Sequence, residues 1–194
     1  MQQLVFATNN QHKLEEVAAK IKGQLELLSL DDIGCYDDIA EIGRTFKDNA
    51  SIKSHHVHNK FKINCFADDS GLEIDALNGE PGVFSARYSG KHGDHGPNIN
   101  KVLEKLGSHE NRAARFRTVI SLIWNDEEYF FEGTVEGVIR RERSGSHGFG
   151  YDPIFEPEGY GITFAEMSLD EKNSISHRAK AVEQLVAFLS THQA

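Results

Sequence analysis

The chain has 194 residues, 39% of them apolar and 26% charged, and its 21 basic and 30 acidic side chains leave a formal net charge of −9. That balance excludes a general nucleic-acid binder, which needs a basic stripe to displace counterions, but it allows a small polyanion held by local cations and a divalent metal. No apolar run approaches the roughly 20 residues of a membrane span, and Cys35 and Cys65 form no close-spaced metal or redox motif, so reduced thiols are expected.

The first residues, Met-Gln-Gln-Leu-Val-Phe-Ala-Thr, carry no basic region or small-residue cleavage site, so a cytoplasmic location with no membrane partner is expected. Leu4–Thr8 reads as a short buried strand running straight into a helix whose Leu14, Val17, Ala18 and Ile21 share one face and which Gly23 stops. Leu25–Ser29 is a second apolar run of strand length. Thr45 is placed to cap a helix over roughly 46–60, with Asp48 in its first turn. Cys65–Ala67 reads as a strand end delivering Asp68 and Asp69 to a turn, Leu72–Leu77 as a further strand, and Ile99, Val102, Leu103 and Leu106 as one face of a helix. Arg115–Trp124 and Glu128–Arg141 are long β-type segments joined at Asn125-Asp126-Glu127 in a hairpin. Ile175, Ala179, Val182, Leu185, Val186 and Leu189 trace a C-terminal amphipathic helix, with a capping box at Ser168 and Glu171 just upstream. Strand–helix alternation followed by a long hairpin predicts an α/β protein with a mixed sheet. No repeat or linker forces a boundary, so residues 1–194 are expected to form one domain.

Three segments carry candidate chemistry. Thr8-Asn9-Asn10-Gln11-His12-Lys13 is a strand-to-helix turn whose unpaired N–H groups, hydroxyl, amide and cation suit phosphate, although a plain Asn cap explains it as well. Ala67-Asp68-Asp69-Ser70-Gly71 offers adjacent hard oxygen ligands of the kind Mg²⁺ takes, one carboxylate holding metal while another accepts a proton from water. An ordinary Asp-Ser-Gly turn is the competing account. Gly148-Phe149-Gly150-Tyr151-Asp152-Pro153 lets backbone come close to a ligand while an aromatic ring stacks on it. Glu41, Lys53, Arg87 and the donor-rich stretch Lys172–Arg178 have bland readings when taken singly. His55-His56-Val57-His58 looks like a metal cluster, but these positions do not share one helix face, and with His92 and His95 they read as surface.

In order along the chain, Ala7-Thr8-Asn9-Asn10…Lys13, Thr45-Phe46…Asn49-Ala50…Lys53, Ala67-Asp68-Asp69-Ser70-Gly71-Leu72, Pro81-Gly82…Ser85-Ala86-Arg87-Tyr88-Ser89-Gly90, Gly148–Pro153 and Lys172…Ser176-His177-Arg178 together resemble the inosine triphosphate pyrophosphatase family. The resemblance implies an elongated mixed β-sheet flanked by helices, two lobes with a central substrate cleft, homodimers, and Mg²⁺-dependent hydrolysis of ITP, dITP or XTP to the monophosphate and pyrophosphate. By matched position, Thr8, Asn9, Asn10, Lys13 and Lys53 would hold phosphates, with Ser70 and Arg87 also on the substrate. Glu41 and Asp69 would hold the metal. Asp69 would be the proton acceptor, with Asp68 a second ligand or the base itself. Phe149, Gly150, Tyr151, Asp152, Lys172, His177 and Arg178 would surround the base. This chain departs from the family pattern at Asn9, where glycine is common, and at Ser146-His147. A nucleotide sensor without catalysis would use the same loops, but it gains little from extra carboxylates beside phosphates.

Overall fold

A computed structural model describes residues 3–192. Its strands are β1 (Gln3–Phe6), β2 (Glu26–Leu28), β3 (Cys65–Ile74), β4 (Ala113–Trp124), β5 (Glu127–Ile139) and β6 (Phe155–Pro157), and its helices are α1 (Gln11–Ile21), α2 (Phe46–Phe61), α3 (His95–Leu106), α4 (Leu169–Ile175) and α5 (His177–Thr191). The strands form one mixed sheet in the order β2-β1-β3-β4-β5-β6. β1 pairs parallel with β2 and β3, and β6 pairs antiparallel with β5. Asn125 and Asp126 both take positive φ, 52° and 67°, the backbone that a two-residue hairpin between β4 and β5 demands. No helix among the described residues is long and apolar enough to cross a membrane.

The chain divides into two compact units. The first comprises the chain up to Asp69, Thr118–Gly133 and the chain from Arg178 onward; the second comprises Ser70–Arg117 and Thr134–His177. In the first, strand alternation builds a core on each sheet face. Leu4, Phe6, Phe66, Ile120, Leu122 and Trp124 pack with Val17 and Ile21 of α1 and Val182, Leu185 and Leu189 of α5. Val5, Ala7, Cys65, Ala67 and Ile123 pack with Leu30, Cys35 and Val57 of α2 on the other face. Strands covered on both faces read as continuous apolar runs, as β1 does. The second unit gathers Leu72, Ile74, Ile99, Val102, Leu106, Phe116, Phe155 and Phe164 into its own core.

Two expectations change. Asp68-Asp69-Ser70-Gly71 is not a turn at a strand end: β3 runs unbroken from Cys65 to Ile74, so both acids lie within a strand. The Ser168 box caps α4, its hydroxyl accepting from Glu171 N, and α5 starts separately at His177. The remaining helix starts agree. The Asn10 side chain caps α1 by accepting from Lys13 N, and Thr45 and Asp48 make a reciprocal capping box on α2.

Candidate active site

Successive side chains of a strand point to opposite faces, so Asp68 follows Phe66 toward α1 and α5, and Asp69 follows Ala67 toward α2. Their partners bear this out. Asp68 Oδ1 accepts from Lys13 Nζ of α1 at 2.8 Å, and Oδ2 from Arg178 Nε of α5 at 3.1 Å. Arg178 is braced in turn by an ion pair with Glu16, and Glu16, Asp68 and Arg178 are all buried. On the opposite face, Asp69 Oδ2 accepts from Asn49 Nδ2 of α2 at 2.9 Å. One turn along α2, Lys53 Nζ donates to Glu41 Oε1 and to the Asp68 carbonyl, both at 2.5 Å.

These surroundings give the two neighbouring acids opposite proton affinities. Burial opposes the charge on Asp68, but Lys13, Arg178 and Lys53 outweigh it and hold the carboxyl well below the usual range. Burial dominates at Asp69, Glu41 adds like charge, and the carboxyl is pushed up to about 6 despite Lys53, Lys13 and the Asn49 donation. Burial also works against Lys53, yet Glu41, Asp69 and Asp68 raise it above an ordinary lysine. Glu41, half-buried, is held low by Lys53 against its own desolvation. Lys13 is lowered, chiefly by burial. Asp69 is therefore the acid able to exchange a proton near neutrality, and Asp68 is an anchored counter-ion.

Around the first turn of α1, Asn10 N donates to Thr8 Oγ1 at 3.2 Å, and Asn9 is exposed. Asn9 is not among the non-glycine residues with positive φ, so replacing glycine there asks nothing unusual of the backbone. Ser70 is partly buried on β3, and Arg87 lies over the Phe84 ring, 5.3 Å from its centroid.

The predicted base-side residues of the second unit form a cluster of their own. Lys172 Nζ, buried, donates to Asp152 Oδ2 at 2.6 Å and sits 5.0 Å from the Phe149 ring centroid and 5.5 Å from that of Phe164. Phe149 N donates to the same Asp152 oxygen at 3.0 Å. A Cβ on Gly148, whose φ is +72°, would meet that oxygen at 2.0 Å, so the loop requires glycine there. Gly150 also has positive φ, 61°. Tyr151 OH donates to the Ser85 carbonyl at 2.7 Å from a core position. His177 stacks on Phe116 with ring centroids 4.8 Å apart, and His147 Nδ1 lies 3.0 Å from the Met167 carbonyl. Arg178, grouped by sequence with the base-side residues, lies in the first unit and donates to Asp68 Oδ2. Sequence reasoning assigned no role to Glu16 or Asn49. Helical spacing was the available signal, since Lys13 and Glu16 are three apart and Asn49 and Lys53 four apart, each pair on one face.

The sequence profile of the Ham1 family matches residues 4–188. The chain belongs to the Ham1 family. It is 48% identical over 187 residues to the dITP/XTP pyrophosphatase of Flavobacterium johnsoniae, covering 96% of this chain and 97% of that one. It is 51% identical over 190 residues to the protein of that name from Porphyromonas gingivalis, covering 97% and 98%. Among solved structures, the Staphylococcus aureus Ham1 protein aligns with a TM-score of 0.89 at 40% identity, covering 99% of this chain and all of that one. A HAM1 protein from Coxiella burnetii aligns with a TM-score of 0.89 at 41% identity, covering 98% and 100%.

Two stability measurements probe the paired acids. Asp68→Asn leaves Lys13 and Arg178 short of a buried counter-charge and is expected to cost about 3–5 kcal/mol in urea unfolding; a loss under about 1 kcal/mol would show that Asp68 is not their anchor. Asp69 binds its proton more tightly folded than unfolded, so its favourable contribution is complete below pH ~4 and is lost as pH rises through ~6. In EDTA, Asp69→Asn should therefore match the wild type near pH 4 and exceed it above pH 6, by up to ~3 kcal/mol. A difference that does not vary with pH would contradict the raised carboxyl.

Proposed function

We propose that this chain is a Mg²⁺-dependent nucleoside triphosphate pyrophosphohydrolase that cleaves the α–β phosphate link of dITP, ITP and XTP, releasing the monophosphate and pyrophosphate. Its role is then to remove deaminated purines from the nucleotide pool. The observation that carries this reading is the division between adjacent carboxylates, with Asp68 paired to Lys13 and Arg178 and Asp69 accepting from the neutral Asn49 amide. The name shared by relatives of nearly equal length supports the substrate class.

Glu41 and Asp69 fit a magnesium ion. Both are hard oxygen donors, and Glu41 already raises Asp69 through like charge, a repulsion that a cation relieves. When bound, the ion supplies positive charge against the phosphate oxygens. Asp69 accepts the proton of the attacking water while Asn49 fixes the orientation of its carboxyl. Lys53, kept charged by Glu41 and the two aspartates, and Lys13 at the start of α1 position the phosphates with Thr8, Asn9 and Asn10, while Ser70 and Arg87 add a hydroxyl and a cation. Asp68 orients Lys13, and Arg178 holds Asp68 in place.

The Phe149–Asp152 loop and Lys172 read the base, and His177 supports that cluster from its stack on Phe116. Lys172, oriented by Asp152, donates to the 6-oxo group of hypoxanthine or xanthine, whereas the 6-amino group of adenine would face it donor to donor. Buried mismatches of that kind reject a competitor by ~10⁴ or more. Residues 1–194 act as one domain, in the cytoplasm, with no nucleic-acid or membrane partner. The protein works as a homodimer, and Tyr36 and Ile42, 79% and 82% exposed, are apolar surface for a second copy to cover.

With Mg²⁺, the purified protein is expected to release pyrophosphate from dITP, ITP or XTP far faster than from ATP or GTP. Asp69→Asn should lower kcat by about 10²–10⁴-fold with its far-ultraviolet circular dichroism retained. Equal rates on all purines would defeat the specificity, and substantial residual turnover would move the base away from Asp69. Light scattering should return about twice the chain mass of 21.7 kDa; a single-chain mass at micromolar concentration would rule out the dimer.

A further inference from the structure

We propose that Cys35, Asp37 and His56 form a transition-metal site, with a ligand set suited to Zn²⁺, that shares no residue with the Glu41–Asp69 pair. The Cys35 thiol sulfur, a carboxylate oxygen of Asp37 and a ring nitrogen of His56 all lie within 4.8 Å of one another, the one such convergence of three among the described residues.

The local fold explains why they meet. A short 3₁₀ turn, Asp31–Ile33, ends at Gly34 in the left-handed region, φ 68°. Cys35 N then donates to the Leu30 carbonyl at 2.9 Å, which draws the thiol inward to 1% exposure. Asp37 lies two residues on, and burial alternates along the segment, with Cys35 buried, Tyr36 exposed and Asp37 partly buried. His56 comes from α2 beside Val57, which belongs to the same core cluster as Cys35. His56 Nε2 lies 2.7 Å from Asp37 Oδ2, and Lys60 Nζ donates to that oxygen at 2.7 Å.

A soft thiolate sulfur and a borderline imidazole nitrogen beside one carboxylate oxygen favour Zn²⁺ or its first-row neighbours, whereas Mg²⁺ takes oxygen alone. Three protein ligands leave one tetrahedral position for water. The side chains of His56 and Asp37 are 37% and 35% exposed, which gives an ion a way in. On binding, the sulfur–hydrogen bond breaks, a metal–thiolate bond forms and the proton passes to solvent. The ion displaces Lys60 from Asp37, and that side chain, already 47% exposed, is free to turn into water. An ion here ties the segment that continues to Glu41 to α2, the helix that carries Lys53.

The test is a Co²⁺ titration of reduced, EDTA-stripped protein without Mg²⁺. Wild type is expected to develop a thiolate-to-cobalt charge-transfer band in the near ultraviolet with tetrahedral visible absorption, saturating at one equivalent, and Zn²⁺ should bleach both. The near-ultraviolet band should vanish in Cys35→Ser and persist in Asp69→Asn, and His56→Ala and Asp37→Asn should each weaken Co²⁺ binding by about tenfold or more. No band at millimolar Co²⁺, or a band that survives Cys35→Ser, would overturn the proposal. If Cys35→Ser fails to fold, the two partly exposed positions decide it: wild-type Co²⁺ affinity in both His56→Ala and Asp37→Asn overturns the site.

Discussion

Two carboxylates placed side by side on one buried strand cannot both face the same environment, because successive residues of β3 point to opposite sides of the sheet. Asp68 therefore meets the helices that cover one face, and Asp69 meets the helix that covers the other. From this geometry follow the Glu16–Arg178–Asp68–Lys13 chain on one side and the Asn49–Asp69 and Lys53–Glu41 contacts on the other. Two residues of the same type, at the same depth and one bond apart, end with opposite proton affinities. Lys53 ties α2 to the backbone of β3, since its ammonium reaches both the Glu41 carboxylate and the Asp68 backbone carbonyl.

Buried charge is costly unless it is paired and hydrogen-bonded, and that cost explains which contacts are redundant and which are not. Asp68 has a cation on each oxygen and Arg178 has a carboxylate on each side, so neither depends on a single partner. Asp69 accepts an amide hydrogen from Asn49, which orients it without adding the full charge that would lock it as an anion. A lysine in place of Asn49 would depress the carboxyl and remove its capacity to take a proton near neutrality. The neutral partner suits a proton acceptor, as the cationic partners suit an anchor.

Local signals in the sequence located most elements. The Asn10 and Thr45 caps, the face made by Leu14, Val17 and Ile21 and the hairpin at Asn125-Asp126 are short-range features, and each appears where its chemistry places it. The continuity of β3 was hidden because Ser70-Gly71 has turn composition, and strand pairing overrides such propensity. Taken singly, Lys53 had a bland reading because a lysine on a helix normally faces solvent. Its burial depends on Glu41 and Asp68, which are 12 and 15 residues away. The Arg178 contact with Asp68 spans 110 positions, beyond any periodicity. The histidines 55, 56 and 58 do diverge on α2 as their spacing requires, with His55 reaching Glu128, His56 Asp37 and His58 Asp126. What spacing within the helix could not reveal is that the partners of His56 come from the loop at Cys35 and Asp37.

The charge inventory of the cluster around Asp68 and Asp69 bears on how a triphosphate would be held. Lys13, Lys53 and Arg178 stand against Glu16, Glu41, Asp68 and Asp69, three positive charges against four negative, or three against three when Asp69 is protonated. A cluster that is neutral or slightly negative has no net attraction for a ligand carrying about four negative charges. Its cations are also largely committed to its own carboxylates. On the reading proposed here, nucleotide and divalent cation must therefore arrive as partners, each making the other's binding favourable. That dependence protects the chemistry, because Asp69 surrounded by lysines alone would be an anion with little appetite for a proton. With Glu41 beside it and burial around it, the carboxyl keeps a raised proton affinity despite the nearby lysines.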